Sequence, residues 1–463
     1  MKKTNSTRLI LGFAGSLLAI GSLQAQSTTP APASSQALSS NAVSEITNGA
    51  GSAMPGGSGL WGYAFGDYAY MAHGDSAGRG SKQQYKGLGA AHQASNPNAF
   101  EIRRAYLGYT QKINDKFSAY ALLAYEGDQD VSDNRTVYLK YMYFKWKNIF
   151  KGSDLKIGQQ ATNSFANAYN TEPLMGYRSI EKTIMDMHGV DGSSDMGITL
   201  EGKLWHSTPA DSTILPTFIG YSAMIGDNSG NNPVAGFTGT ATSLSGGNPS
   251  VALNPFNTTT DKDKKFRANV YVNTLNGALT VGAYTDYINY GNNLNVSATD
   301  GSSSHLSEAV QTLKFYAVYN SQWFGIGAEW FTQSMTNGEL ESYKATPKSN
   351  DTVTAMQTGV SIFAHGTIIQ NRLNIFARFD MYTPDAVYSN TTGEAFKSQF
   401  SNIGGSTFKE NFMTAGLDWS PTNDKKVHFM PNIWFYQINN AIGSDALKSD
   451  NYMLYRLTFL YAF

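Results

Sequence analysis

Charged side chains occupy alternate positions in segments that are otherwise apolar. Arg378 and Asp380 alternate with apolar residues between 371 and 382, and Arg456 does the same between 450 and 463. Successive side chains of a β-strand point to opposite faces, so this spacing collects charge on one face and apolar side chains on the other. A charged face backed by an apolar one can hold ions and polar solutes in water.

The same parity selects further charged candidates on other segments. The bases are Arg104, Lys140, Lys156, Lys203, Arg267, Lys314, Arg378 and Arg456, and the acids are Glu126, Glu201, Asp286, Glu329, Asp380 and Asp418. Each of them either faces solute or pairs with an opposite charge on a neighbouring strand, and the pattern leaves both interpretations open. Because Arg378 and Arg456 lie in the most regular segments, they are the best solute-facing candidates. The parity of Arg103 against Arg104 is ambiguous, since the phase changes at this arginine pair.

These residues lie on sixteen alternating segments bounded by turn residues, which predicts sixteen β-strands. The segments lie near 60–72, 100–112, 116–126, 136–147, 154–160, 196–205, 215–226, 265–275, 278–290, 309–321, 323–335, 353–364, 371–382, 410–420, 426–437 and 450–463. The last segment ends in an aromatic residue, Phe463, which is typical of bacterial outer-membrane barrels.

The links between the segments alternate in length. Short links include Asn114-Asp115 and Ser321-Gln322, and the long links run near 73–99, 161–195, 227–264, 291–308, 336–352 and 383–409. Bacterial outer-membrane barrels have an even number of strands, short periplasmic turns and long outer loops. The chain is therefore predicted to be all-β, a transmembrane antiparallel barrel of about sixteen strands with both termini in the periplasm. Side chains alone cannot fill a barrel of that size, so the lumen is expected to hold water.

The N-terminal residues predict export. A basic start (Lys2, Lys3, Arg8) precedes an apolar run, and a cleavage point follows Ala25, which indicates a signal peptide over 1–25. Residues 26–58 are rich in Ser, Ala, Pro and Gly and predict a disordered leader, so the barrel is expected over 59–463. Loss of the signal moves the net charge from −1 to about −4, which implies no nucleic-acid partner. The absence of cysteine excludes disulfides.

One long link differs from the others because it contains an amphipathic piece between Glu172 and Gly189. A proline that can open a helix and a glycine that can close one flank it. The apolar residues predicted to pack against the wall are Met175, Ile180, Ile184 and Met187, and the residues predicted to face water are Arg178, Glu181, Lys182 and Asp186. We expect this link to fold into the barrel and narrow it. The alternative is an outer loop that only caps the mouth.

The sequence carries no recognisable catalytic or metal-binding motif. The seven histidines are scattered singly, and no Gly-x-Ser-x-Gly or phosphate-binding loop occurs. The acidic loop 126–134 is better explained by solvation than by calcium binding, and Asp191 and Asp195 are weaker calcium candidates still. No enzyme activity, cofactor or metal is predicted.

Three pieces of the chain resemble one family of channels. The segment Phe100–Tyr120 (FEIRRAYLGYTQKINDKFSAY) looks like the second and third strands of the phosphate-selective porin O and P family. KIGQQ, RSIEKT and SSDMGITLEGKL, which ends at Leu204, resemble its next strand, constriction loop and following strand. The resemblance implies a sixteen-stranded porin, usually a homotrimer, with Arg178 and Lys182 at or near the constriction.

Two departures from the family limit what the resemblance implies. ATNSFANAYN follows KIGQQ where the family commonly has a proline, and Ser194 replaces the family's arginine. Phosphate specificity is therefore not carried over. The leading hypothesis is an outer-membrane porin, surrounded by lipid, for passive diffusion of small hydrophilic solutes or ions with a mild preference for anions. The alternative is a barrel whose long loops act as a surface adhesin or receptor.

Overall fold

A computed structural model describes residues 58–74, 98–127, 135–164, 182–211, 214–228, 264–289, 294–297, 303–306, 309–342, 350–384, 386, 409–422, 425–438 and 450–463. The segment predicted as signal peptide and, except for Ser58, the predicted leader lie outside this part of the chain. No helix among the described residues has the length and apolarity needed to cross a membrane.

The described strands form one closed antiparallel barrel and one small hairpin. The barrel strands are β1 (Gly59–His73), β2 (Asn98–Lys112), β3 (Phe117–Glu126), β4 (Val137–Phe150), β5 (Ser153–Ala161), β6 (Ser194–His206), β7 (Phe218–Gly226), β8 (Lys265–Thr274), β9 (Leu279–Asn289), β12 (Ala309–Asn320), β13 (Phe324–Ser342), β14 (Asn350–Ile369), β15 (Leu373–Thr383), β16 (Glu410–Trp419), β17 (Val427–Ile438) and β18 (Asp450–Ala462). Strands β10 (Leu294–Ser297) and β11 (Ser303–Leu306) form the hairpin, and a short helix in the described part of the chain, α1, spans Ile184–Met187.

Each barrel strand pairs with its neighbours in the chain, and β1 pairs with β18 to close the ring. The prediction of a sixteen-stranded barrel is therefore confirmed. The predicted bounds of the link 336–352 were wrong, because β13 extends to Ser342 and β14 already starts at Asn350. The polar extension carries no apolar alternation, so period-2 reasoning could not detect it. The hairpin β10–β11 occupies part of another predicted link.

The strand ends form two rims of the barrel. The short-link rim carries the links 113–116, 151–152, 207–217, 275–278, 321–323, 370–372 and 420–426, together with the start of β1 and the end of β18. The opposite ends of the strands form the long-link rim. The terminal residue continues the closure at the short-link rim, because the amide of Phe463 donates to the carbonyl of Gly62 over 2.9 Å.

The two faces of the wall differ in chemistry. On β12, Thr312, Lys314 and Tyr316 are buried, whereas Leu313 and Phe315 are exposed on the outside. A closed barrel has only an inner and an outer face, so the buried set points into the lumen. The exposed set forms an apolar outer surface that recurs around the barrel.

A β-bulge breaks this alternation once on β2. Phe65 of β1 lies opposite Arg104, and the next residue, Gly66, lies opposite Ile102, so that Arg103 is the extra residue. A bulge places two consecutive residues opposite one partner and re-aims their side chains. Arg103 and Arg104 are therefore both buried inside the barrel, and this explains the change of phase at the arginine pair.

Candidate pore lining and constriction

Among the described residues, the buried charges inside the barrel are balanced in sign. Nine are basic and nine are acidic: Arg103, Arg104, Lys140, Lys182, Lys265, Arg267, Lys314, Arg378, Arg456, Asp67, Glu126, Asp191, Asp195, Asp286, Glu329, Asp380, Glu410 and Asp418. Buried charges persist when opposite charges and hydrogen bonds compensate their lost hydration. The geometry follows this rule, and most of these groups form small ion-pair clusters.

The first cluster lies where the barrel closes. Asp67 of β1 pairs with Arg103 of β2 and with Arg456 of β18, and the Thr458 hydroxyl donates to its second oxygen. The Arg456 guanidinium also lies 3.9 Å from the centre of the Trp434 ring, a cation–π distance. Two cations therefore share one carboxylate at the seam between the first and last strands.

A second cluster on β2–β4 repeats this stoichiometry. Glu126 pairs with both Arg104 and Lys140 and accepts a hydrogen bond from the Tyr106 hydroxyl. Glu126 and Arg104 lie directly opposite each other in the β2–β3 register, which explains why the pair forms. This cluster also has one more positive than negative charge.

Further pairs use the same inward face elsewhere. Lys314 pairs with Glu329 across β12 and β13, and the Arg378 guanidinium binds both oxygens of Asp380 on its own strand over 2.7–3.0 Å. Lys156 and Glu201, near the short-link rim, lie 2.6 Å apart and stay partly exposed. For the predicted inward residues, pairing with an opposite charge is thus the common outcome.

Residues 182–193, which precede β6, form the inner loop. They contain α1, whose N-cap Thr183 accepts from the amide of Asp186, and Gly189 follows with φ +65°. The residues Ile184 and Met187 are buried, as predicted. The described helix begins after Thr183. The predicted start near Pro173 falls outside the described residues.

The inner loop lies inside the barrel and reaches its far wall. It connects to β6, yet the carbonyl of Lys182 accepts a hydrogen bond from Arg378 of β15 over 2.7 Å. Strand β15 lies seven strands from β6 in one direction around the ring. Only a segment that runs through the lumen can make this contact. The described part of the link therefore folds inward and does not merely cap the mouth.

On the β15 side, packing and stacking hold the inner loop. The His188 ring stacks on Tyr382 with centres 3.5 Å apart and planes at 6°. Ile184 and Met185 are buried in a cluster with Phe331 and Tyr382. Burial, with a further contribution from Arg378, lowers the pKa of His188 to about 3, so the ring is neutral.

A buried carboxylate holds the other end of the inner loop. Asp191 lies 3.0 Å from both Lys265 and Arg267 of β8, and it accepts hydrogen bonds from the hydroxyls of Tyr284 and Ser164. Burial raises the pKa of Asp191, but the positive charges of Arg267 and Lys265 lower it by more than burial raises it. The net shift is therefore downward, and the group stays ionised. Asp191 and Asp195 do not form a calcium site here, because cationic side chains already pair with both carboxylates.

The predicted site residues differ in how well the structure agrees with their predicted positions. Arg104, Lys140, Lys314, Glu329, Arg378, Asp380 and Arg456 are buried inside the barrel, as their parity predicted. Arg178 and Glu181 lie outside the described residues. Lys182 was expected to face water and is instead buried, at 5% exposure, while Asp186 is partly buried. Lys182 precedes the helix, so the helical periodicity used for that prediction does not apply to it.

Several buried charges escaped the sequence reasoning. Asp67 lies on a strand whose two faces are both largely apolar, so alternation gave no signal there. Lys265 shares the inward parity of Arg267 and could have been found by that rule. Asp191 sits in the loop, where no strand parity exists. No group of three or more metal-binding side chains occurs among the described residues.

Comparison with known proteins supports the fold. No protein-family model and no curated protein sequence matches the chain. The outer-membrane channel DcaP of Acinetobacter baumannii is similar in structure, with 13% identity over 89% of this chain and 100% of its own, at a TM-score of 0.52.

Two other solved structures align at lower scores. They are an anion-selective porin from Comamonas acidovorans (11% identity, 88% of this chain and 99% of its own, TM-score 0.47) and OmpT of Vibrio cholerae (12%, 88% and 99%, 0.46). At these scores the two alignments add nothing to the fold assignment. The likeness to DcaP concerns the architecture of the barrel, and membership of the phosphate-selective porin O and P family stays a prediction.

Proposed function

We propose that the protein is a bacterial outer-membrane porin through which small hydrophilic solutes and ions diffuse passively. The observation that carries this proposal is the inner loop, which runs through a closed barrel whose wall bears charged and polar side chains. A loop inside the barrel narrows the lumen, and charged rings set ion preference in pores. The mechanism needs no covalent chemistry, and we propose no enzyme activity.

The outer face supports placement in a lipid bilayer. Large apolar side chains such as Phe315, Ile326 and Leu457 are 43–50% exposed on the outside of the wall. A soluble monomer rarely exposes so extensive an apolar surface, whereas barrels that span a membrane present it to lipid. By the rule of short periplasmic turns, the short-link rim and both ends of the barrel would face the periplasm.

The charge distribution supports weak selectivity with a mild preference for anions. Among buried side chains the described wall is balanced overall, but the arc from β18 to β4 carries Arg103, Arg104, Lys140 and Arg456 against Asp67 and Glu126. A local excess of positive charge raises the concentration of anions beside it. Arg178 would add to this excess if it lies at the constriction, as the family resemblance implies.

Three further features are part of the proposal. The mature chain would begin after a signal peptide at 1–25, followed by the leader 26–58 and the barrel. The porin would assemble as a homotrimer, as the family resemblance implies. The adhesin or receptor alternative depends mainly on the long links 227–264 and 383–409, which lie almost wholly outside the described residues, and no described contact favours it.

Planar-bilayer recording tests the proposal. Purified protein should produce discrete conductance steps, and a salt gradient should give a small reversal potential in the direction of anion selectivity. Deleting residues 173–188 should increase the unit conductance, because the deletion removes the helix and much of the link that narrows the lumen. A barrel that stays electrically silent across salts and voltages contradicts the porin function. An unchanged conductance in the deletion variant favours the surface-receptor alternative.

A further inference from the structure

Two of the described attachments of the inner loop to the wall differ in chemistry. On β15 the contacts are the Arg378 bond to a backbone carbonyl and the stacking of His188 on Tyr382. On β8 and β9 the contact is a single loop carboxylate, Asp191, held by charged and hydroxyl groups. The first anchor is spread over several side chains, whereas the charged attachment at β8 and β9 depends on one loop side chain.

Hydrogen-bond donors from two strands and from the start of the same link contact the carboxylate of Asp191. Lys265 and Arg267 approach it from β8, the Tyr284 hydroxyl donates from β9, and the Ser164 hydroxyl donates over 2.5 Å from the start of the same link. The side chain of Asp191 has no exposed surface. Charge-assisted hydrogen bonds of this kind are stronger than neutral ones and fix a group more tightly.

The wall does not depend on Asp191 to compensate its own charges. Lys265 also lies 3.2 Å from Asp286, and Arg267 also lies 2.7 Å from Asp195. Removing the charge of Asp191 therefore leaves both cations with an acidic partner on the wall. The inner loop, by contrast, loses its charged attachment to this wall, and the bond from Gln333 to the Val190 carbonyl remains nearby.

We infer that Asp191 is a positioning residue that holds the constriction in its open, steady geometry, and this rests on the proposed porin function. When the contacts of Asp191 with β8 and β9 break, the inner loop stays attached at β15 and moves within the lumen. The channel then closes in part and reopens, which appears as brief sub-conductance states instead of a uniformly wider pore. The residue acts through the position of the loop and need not touch the solute.

A charge-matched pair of variants tests this role. Asp191→Asn and Asp195→Asn remove the same charge beside the same arginine, but Asp191 belongs to the loop and Asp195 to β6. In single-channel recordings, Asp191→Asn should raise the frequency of sub-conductance states severalfold, and Asp195→Asn should stay close to the wild type. Equal effects of the two variants, or none in Asp191→Asn, overturn the inference.

Ser164→Ala provides a second, uncharged test if Asp191→Asn fails to fold. It removes one hydrogen bond to Asp191, and we expect a smaller rise in sub-state frequency; a frequency equal to that of the wild type counts against the anchor. Hydrogen–deuterium exchange of the peptide covering 182–193 separates this inference from the porin proposal. Faster exchange in Asp191→Asn supports the anchor even if no variant conducts, whereas unchanged exchange overturns it.

Discussion

The guanidinium of Arg456 in the last strand donates a hydrogen bond to the carboxylate of Asp67 in the first strand, across 389 positions of sequence. Arg456 and Ala69 are register partners in the β1–β18 pairing, and Asp67 lies opposite Thr458. The bond therefore spans the seam at which the barrel closes. Both side chains are fully buried, so neither group has water as an alternative partner.

Replacing Arg456 by Gln should destabilise the closed barrel. The change leaves Asp67 with one cation fewer at a buried position, and removal of one partner from a buried ion pair costs about 3–5 kcal/mol. The temperature at which the folded form converts to the unfolded form on a detergent gel measures this loss. Lys112→Gln is the control, because its pair with Asp115 is exposed and should contribute little. Equal shifts in the two variants would count against a structural role for the seam pair.

Ion selectivity should respond in opposite directions to two changes in the Glu126 cluster. Glu126→Gln leaves Arg104 and Lys140 without their shared carboxylate, so the preference for anions should rise severalfold. Lys140→Met removes a cation and should lower that preference. Reversal potentials in a chloride gradient report both changes, and a shift of the same sign in both variants would exclude this cluster from selectivity.

Gly158→Ala should destabilise the wall, because this position has φ +125° and no room for a side chain. An added Cβ would lie 2.4 Å from the carbonyl oxygen of Met142 on the neighbouring strand. Backbone strain of this kind costs about 1–3 kcal/mol. Gly366→Ala is the matched control, since its Cβ would meet nothing closer than 3.6 Å. Refolding in urea with lipid vesicles should show a lower midpoint for the first variant alone.

Acid should favour release of the inner loop. The pKa of His188 is lowered to about 3 where it is buried, and a released His188 would regain its ordinary value of about 6.5. The released state therefore binds more protons, so the stability of the anchored state is complete above about pH 6.5 and declines as pH falls toward 3. Asp191 stays ionised over most of this range because its pKa is lowered.

Single-channel recordings at about pH 7 and about pH 4.5 measure this effect as a rise in sub-state frequency. His188→Phe keeps a ring against Tyr382 but cannot be protonated, so its sub-state frequency should not depend on pH in this way. An acid response that persists unchanged in His188→Phe would assign the effect to another group.

The sequence could predict most of the barrel because strand alternation is a local property. The outer and inner faces of a barrel wall impose a period of two on its regular strands, and the pattern around Arg378 or Lys314 reveals it without knowledge of any neighbour. The alternating lengths of the links also predicted that both ends of the barrel chain lie on the same rim. The helix Ile184–Met187 was also foreseen as an apolar piece in a polar link, although the side chain of Lys182 was placed on the wrong side.

The sequence by itself thus determined a sixteen-strand barrel, the inward residues of its regular strands and a link whose described part enters the lumen. Only the tertiary structure decided the bulge that turns both Arg103 and Arg104 inward, the seam pair of Asp67 and Arg456, and the attachment of Asp191 to β8. These contacts join residues that are far apart in sequence, and they depend on strand register. A shift of one residue sends every side chain of a strand to the other face, and no local pattern records which partner then lies opposite.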